Sequence, residues 1–434
     1  MLIQRAVLLD GTRTDIRVGE RITDVADGLT ALRGETVYDA AGRTVIPGLH
    51  DHHVHLRAAA AALHSVRVGP DEVRSRQDLA RLLSGALVGD DGWVRAVGYH
   101  DAAAGPLDRH VLDEVSSTIP VRVQHRSGVL WTLNTAGLTR VGLADHPDGR
   151  LRSADPSWAS TLLRAEPKLA EISARLSRYG VTGVTDATPD LTADDIDSLG
   201  RAHRDGELRQ TVHCLSPGKR ILHDEDLDLE ELIRWVGDSH AAGVPVAVHC
   251  VTAAQLVVTL EALRSAGSHP HDRIEHAAVV PDAGLAGLVA SGATVVTQPN
   301  FIAERGDQYL ADVPVAEHHE LWRVASLRSA GVPVALSTDS PFGDADPWAA
   351  MRAAVYRRTA SGTVLGAAEC VSAPEALAMF LGEPDRPAAS RRVVQGARGA
   401  LCVLTTGPPE TLRELDSGAV AATVIAGELV FERS

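Results

Sequence analysis

The sequence predicts an α/β fold in which a parallel sheet, closed into a (β/α)8 barrel or doubly wound, carries a small β domain made from both chain ends. Three observations point there. A helix-then-strand pattern with glycine at each junction recurs in RLSRYG-VTGVTDA, SHAAG-VPVAVHC, LVASG-ATVVTQPN and LRSAG-VPVALSTDS. Both ends of the chain read instead as short strands between tight turns. Side chains suited to metal binding stand where the apolar strands finish.

Residues 1–43 alternate short apolar runs, Ala6–Leu9, Ile16–Val18 and Thr36–Tyr38, with Asp-Gly and Gly-rich turns, the pattern of small antiparallel strands. Leu401–Leu404 and Ala419–Val430, the second broken at Gly427-Glu428, read the same way. Neither group closes a core alone, so segments 1–46 and 391–434 are expected to pair into one composite β domain beside a main body over 47–390. The first strand of that body lies in Thr44–Leu56, TVIPGLHDHHVHL. With a period of two, Asp51, His53 and His55 share one face, and His50 and His52 the other. Two imidazoles on one strand face are a ready pair of metal ligands.

The next clear strand begins near Val181, a gap several βα units long. Residues 60–165 are therefore expected to form an insertion after strand 1, over the mouth of the sheet, containing GWVRAVGYHD, PVRVQHRS and LWTLNTAGLTRVGL. Such insertions carry substrate selectivity. By position His125 and Trp131 in the insertion, and Asn300 after strand 7, are candidate substrate contacts. Beyond it Leu169, Ile172, Leu176 and Tyr179 fall at helical spacing and Gly180 stops the helix. Gly243, Gly292 and Gly331 stop three more, because the left-handed cap suits a residue without Cβ. The strands VPVAV, ATVV and VPVAL are continuously apolar, as strands buried on both faces must be. No Gly-rich phosphate fingerprint follows them, which argues against dinucleotide binding.

The 434 residues are 44% hydrophobic, ample for a large core. Net charge is −15, from 42 basic and 57 acidic residues without a basic stripe, which argues against nucleic acid and anionic membrane as partners. No stretch has the length of a membrane span and MLIQRAVLLD lacks the features of a signal peptide, so a cytoplasmic protein with a small-molecule substrate is expected. Cys214, Cys250, Cys370 and Cys402 form no CxxC pair, so neither a disulfide framework nor a thiolate zinc site is indicated. All basic residues are arginine except Lys168 and Lys219.

The polar strand-end residues are His53 and His55, Lys219 in SPGKRIL, His249 in VAVHC, His276 in RIEHA and Asp339 in ALSTDSP. In a closed parallel barrel all strand C-termini open to one mouth, where residues far apart in sequence meet. Four histidines and an aspartate suit zinc, manganese, iron or a related divalent ion.

This set resembles the amidohydrolase superfamily and, within it, the N-substituted formamide deformylase-like branch known as amidohydrolase family 3. The resemblance runs through PGLHDHHVH, the GW…GYHD and LN-A-L segments, GVTGVTD, VAVHCVT, RIEHA, TQPN and STDSP. It implies a TIM-like (β/α)8 hydrolase barrel, a small β domain from both termini, and one or two divalent ions, zinc foremost, held by His53, His55, His249, His276 and Asp339. In many members a strand-4 lysine carries a carbamate that bridges two metals, and Lys219 stands where that lysine is expected. Arginine cannot take that role, because its guanidinium effectively never loses its proton.

The function expected is hydrolysis of a non-peptide amide bond in a small N-acyl, N-formyl or cyclic amide by a metal-activated hydroxide, with Asp339 as general base. The rivals are a mononuclear deaminase of a nucleobase-like or amidine substrate, and a lactone or ester hydrolase on the same site. Deaminase relatives usually carry a glutamate three residues after the strand-5 histidine, where this chain has Thr252 after His249. A non-catalytic scaffold is the remaining alternative, and such chains typically lose ligands that this one keeps. Many members of the branch have Gly-His where this chain reads Gly128-Val129, and Ala-Asp-Leu where it reads Ala400-Leu401-Cys402.

Overall fold

The structure, a computed structural model, describes residues 1–152, 158 and 167–433. Contacts divide it into two compact units, Met1–Leu56 with Leu169–Ser434, and Arg57–Lys168.

In the first unit the two chain ends meet in one eight-stranded sheet. Thr44–Pro47 lies near its middle, antiparallel to Ala400–Leu404 and parallel to Leu2–Val7. Arg13–Val18 and Ile22–Ala26 extend it on one side, Val420–Ile425 and Glu428–Glu432 on the other. Alternation puts Ile3, Ile16, Val18, Val45, Leu401, Val403 and Val424 into one buried cluster, so a one-residue slip would expose that whole set. Gly48 separates Thr44–Pro47 from the next strand. A Cβ there would stand 2.2 Å from Thr182 Cγ2, so only glycine lets the chain pass from one sheet to the other.

The main body holds eight parallel strands: β1 (Leu49–Val54), β2 (Val181–Asp186), β3 (Thr211–Cys214), β4 (Lys219–Ile221), β5 (Ala247–Cys250), β6 (Arg273–His276), β7 (Thr294–Thr297) and β8 (Val334–Leu336). β7 and β8, from the apolar runs ATVV and VPVAL, are buried throughout, as such runs require, and so are β1 and β6, which carry polar side chains into the interior. Helices Ala193–Arg204, Leu229–Ala241, Ala253–Ala266, Leu285–Ser291, Asn300–Asp312 and Pro347–Tyr356 follow β2, β4, β5, β6, β7 and β8. The four glycines expected to end helices, Gly180, Gly243, Gly292 and Gly331, all have positive φ.

Among the described residues no ladder runs through all eight strands. They form a sheet of three, β3-β2-β1, and a sheet of five, β4-β5-β6-β7-β8, and a parallel bridge from Val54 to Ser340 joins β1 to the end of β8. The difference from the expected eight-unit pattern lies between β3 and β4, which only Leu215 to Gly218 connect. Parallel neighbours need a crossover of a dozen residues or more, so these two cannot pair side by side. They are successive segments of chain, one pairing with β2 and the other with β5.

The second unit carries a five-stranded sheet, Val66–Arg67, Val94–Tyr99, Val121–His125, Leu130–Leu133 and Arg150–Arg152. The apolar runs of 92–101 and 120–127 thus form strands. The insertion expected over 60–165 falls within this unit, and its stretches 153–157 and 159–165 lie outside the described residues. Among the described residues no helix is long and apolar enough to cross a membrane.

Candidate metal centre

The site begins on β1. His53 lies in the strand and His55 just past its end. The ladder with β2 shifts register twice, pairing Leu49 with Val181, His50 with Gly183 and Val54 with Asp186, so strict alternation does not run the length of the strand. Asp51 reaches the chain after β8 while also accepting from His53 N at 3.4 Å. Thr338 donates to it twice, from its backbone N to Oδ1 at 3.1 Å and from Oγ1 to Oδ2 at 2.5 Å. Burial raises the Asp51 carboxyl to about 7 against the pull of those bonds. His50 lies away from the site, its Nε2 2.9 Å from Thr185 Oγ1.

Asp339 follows Thr338 directly, so this latch brings it to the histidines. Its Oδ1 stands 3.5 Å from His53 Nε2 and 3.4 Å from His55 Nε2. Ligands about 2.0–2.1 Å from a tetrahedral zinc ion stand about 3.3–3.4 Å from one another, which both distances to Asp339 match, and one ligand atom from each of the three residues lies within 4.8 Å of the others. Asp339 Oδ1 is buried and has no hydrogen-bond partner. Burial opposes its charge, yet the close imidazoles of His55, His53 and His276 hold the carboxyl at about 2.

The remaining strand ends contribute His249 on β5 and His276 on β6. The His276 ring lies 4.8 Å from that of His53 and 4.5 Å from that of His249. Burial drives His249 well below its usual pKa, with His276 and Lys219 adding to the effect, and burial brings His53 to about 3, with Lys219 again adding. Neutral imidazoles are what a cation needs. Three rings are also oriented through Nδ1. That of His53 meets Glu275 Oε2, that of His276 is 2.7 Å from Gln298 Oε1, and that of His55 is 3.2 Å from Thr188 Oγ1. Each leaves Nε2 free to coordinate.

Lys219 opens β4, buried, its Nζ without a hydrogen-bond partner. Its charge is felt by His53, His249, His276 and Glu275. Burial lowers its pKa to about 8, with Glu275 and Asp339 pulling the other way. Gly218 makes the placement feasible, because a Cβ there would stand 2.1 Å from Pro245 O. A buried amine without a partner is costly unless something else completes it.

His276 and Asp339 both adopt positive φ, 70° and 55°, and Ala277 follows at 46°. Residues other than glycine avoid this region, and strain of this kind collects at functional sites.

Asn300 opens the helix after β7. Its Nδ2 donates to Thr338 O at 3.1 Å and to Glu304 Oε1 at 3.0 Å, while its buried Oδ1 has no partner. It therefore braces the chain beside Asp339. His125 and Trp131 belong to the second unit. Trp131 packs among Trp93, Leu133, Leu138 and Trp158 beneath the Arg95 guanidinium, and His125 Nδ1 lies 2.8 Å from Ser127 Oγ. Glu275, Gln298, Thr188 and Thr338 were not singled out from sequence. The signal for Glu275 was the acid in RIEH beside a candidate ligand histidine, since an acid on a buried strand needs a partner.

A profile of the amidohydrolase family matches residues 36–431. Over 526 aligned residues the chain is 25% identical to the N-substituted formamide deformylase of Arthrobacter pascens, covering 99% of this chain and 95% of that one. Its fold is similar to that of an uncharacterized metal-dependent hydrolase from Pyrococcus horikoshii OT3, with TM-score 0.73, 19% identity, and 94% and 97% of the two chains covered. It is also similar to a 5-methylcytosine deaminase from Klebsiella pneumoniae, with TM-score 0.58, 17% identity, and 100% and 98% covered.

Proposed function

The chain belongs to the amidohydrolase family, and on that premise we propose that it hydrolyses the amide bond of a small N-formyl, N-acyl or cyclic amide, releasing a carboxylic acid and an amine. The observation that carries this reading is the meeting of His53 Nε2, His55 Nε2 and Asp339 Oδ1 at coordination spacing. The N-substituted formamide deformylase aligned over nearly the whole chain supports the substrate class. His53, His55 and Asp339 would hold one divalent ion, zinc foremost. His249 and His276 would hold a second, and Lys219, carrying a carbamate, would bridge the two. The donor set of neutral imidazoles, a carboxylate and a buried unpartnered amine fits that assignment.

When bound, the ion polarises the substrate carbonyl and acidifies water at the site. Asp339, ionised well below neutrality, would accept a proton from the attacking water at Oδ2, the carboxylate oxygen not given to the ion, and then deliver it to the departing nitrogen. Asp51, through Thr338, keeps that carboxylate at its station. Deamination finds less support. Position 252, three residues after His249, is a threonine that caps the helix Ala253–Ala266 and donates to Asp224, so that position itself supplies no acid to serve a ring nitrogen. Among the described residues no disulfide joins the cysteines, as a cytoplasmic setting would favour. In the barrel reading, the bridge from Val54 to Ser340 closes the ring, and β3 and β4 together act as one bent strand between β2 and β5.

Metal analysis of the wild type and Lys219→Ala tests the centre: two ions falling to one or none supports the bridge, and one ion in both proteins overturns it. A panel of amides, esters and amidines tests the reaction. Turnover of amidines but not amides would replace amide hydrolysis with deamination.

A further inference from the structure

Three imidazoles of the site are tied at Nδ1 to three chemically different partners: a carboxylate, an amide and a hydroxyl. Gln298 can be oriented without ambiguity. Its Nε2 lies 3.3 Å from Val296 O, which only accepts, and 2.8 Å from Ser337 Oγ, so the oxygen of the amide faces His276. Among these partners Glu275 alone carries charge, and it does not act alone. Arg273 Nε donates to Glu275 Oε1 at 2.7 Å and its Nη2 to Oε2 at 3.2 Å. The same Nη2 donates at 2.6 Å to the carbonyl of His52, the residue before His53.

These contacts form a closed loop. It runs from the His53 ring to Glu275, from Glu275 to Arg273, and from Arg273 back to the backbone that carries His53. Every member is at most 5% exposed. β6 thereby grips β1 twice, once by the side chain of the ligand and once by its main chain. Both Glu275 oxygens accept from the Arg273 guanidinium, an obligate donor, and that pairing holds the group as a carboxylate that accepts from His53. His53 Nδ1 must then be the donor and Nε2 the lone pair.

We propose that the Arg273–Glu275 pair is a positioning device that fixes His53 as an Nε2 ligand and sets how tightly the site holds its ion. The proposal rests on the reading of His53 as a ligand. An anionic partner makes the far nitrogen of an imidazole more basic, a neutral amide much less so, and loss of such a partner typically weakens metal binding about 10–100-fold. Glu275 thus strengthens the ion's hold at His53 as Gln298 does not at His276. Neither Arg273 nor Glu275 need touch substrate.

Zinc affinity, measured by competition with a chromophoric chelator, should fall about 10–100-fold in Glu275→Gln. That change leaves Arg273 without its anion, so the double variant Arg273→Met/Glu275→Gln, balanced in charge, is measured beside it. The double variant should unfold in urea close to wild type yet still bind zinc weakly. Wild-type affinity in either folded variant overturns the proposal. His53→Ala is the separate check on the underlying reading: if it keeps full affinity, His53 is not a ligand, whereas weak binding there with unchanged binding in Glu275→Gln rejects only the positioning role. Nitrogen-15 NMR of the wild type decides the matter even if both variants misfold. His53 should carry its proton on Nδ1 in metal-free protein, and a proton on Nε2 would overturn the proposal.

Discussion

Replacing Asp51 with alanine tests the link that brings Asp339 to the histidines. Asp51 Oδ1 accepts from Thr338 N at 3.1 Å and, more loosely, from His53 N at 3.4 Å, while Oδ2 accepts the Thr338 hydroxyl at 2.5 Å. Thr338 and Asp51 are both wholly buried, so water does not replace the lost acceptor. The hydroxyl can rotate toward another acceptor, but the Thr338 amide cannot. An orphaned buried donor costs about 1–3 kcal/mol, and with the weaker His53 amide and the cavity added, Asp51→Ala should destabilise by about 2–4 kcal/mol. Asp51→Asn keeps Oδ1 for both amides, and its Nδ2 can donate to the Thr338 hydroxyl, so it should cost about 1 kcal/mol or less. Urea unfolding followed by tryptophan fluorescence measures both, and metal content in the folded state shows whether Asp339 has kept its station. An alanine variant within about 0.5 kcal/mol of wild type with full metal would refute the latch, since surface changes routinely fall in that range. An asparagine variant as damaged as alanine would show that charge, not acceptor geometry, holds the strands together.

Three further outcomes are expected. Asp339→Asn should lower kcat by about 10²–10⁴-fold while the ion stays bound, read by steady-state kinetics beside metal analysis, and an active variant would remove Asp339 as the base. Gly218→Ala drives a methyl group into Pro245 O, a backbone atom that cannot step aside, and should reduce metal occupancy by displacing Lys219. In the terminal sheet, the backbone N–H of Leu32 and then the Arg17 guanidinium hold the Glu35 carboxyl below its usual value of 4.5. A depressed folded-state pKa contributes stability above the unfolded value that is lost as pH falls through the folded one, so wild type should exceed Glu35→Gln in unfolding midpoint at pH 7 and lose that margin in acid.

The strand-end residues were legible because the code for them is local. A glycine stops a helix, an apolar run follows, and a polar side chain marks its end. His53, His55, His276 and Asp339 lie close together in the structure. The tie from Asp51 to Thr338 was not legible, because it depends on the chain after β8 and leaves no trace in β1 itself. The missing crossover between β3 and β4 was visible as four residues, LSPG, but a count of polar strand ends does not test connections. Glu275 stood inside a recognised motif, and its task became clear only when Arg273 and His53 were found on either side of it.

Lys219 has a practical corollary. The chain has two lysines, and Lys168 is not among the buried residues. Apart from the N-terminus, the protein therefore offers two primary amines in 434 residues. Protein prepared under isotopically enriched carbon dioxide would give a carbon spectrum with almost nothing to confuse a single carbamate resonance. Brief acylation of the intact fold would mark Lys168 and spare an occupied Lys219. An arginine-rich composition, unremarkable for stability, would thus leave the proposed carbamate on Lys219 nearly background-free as a spectroscopic reporter.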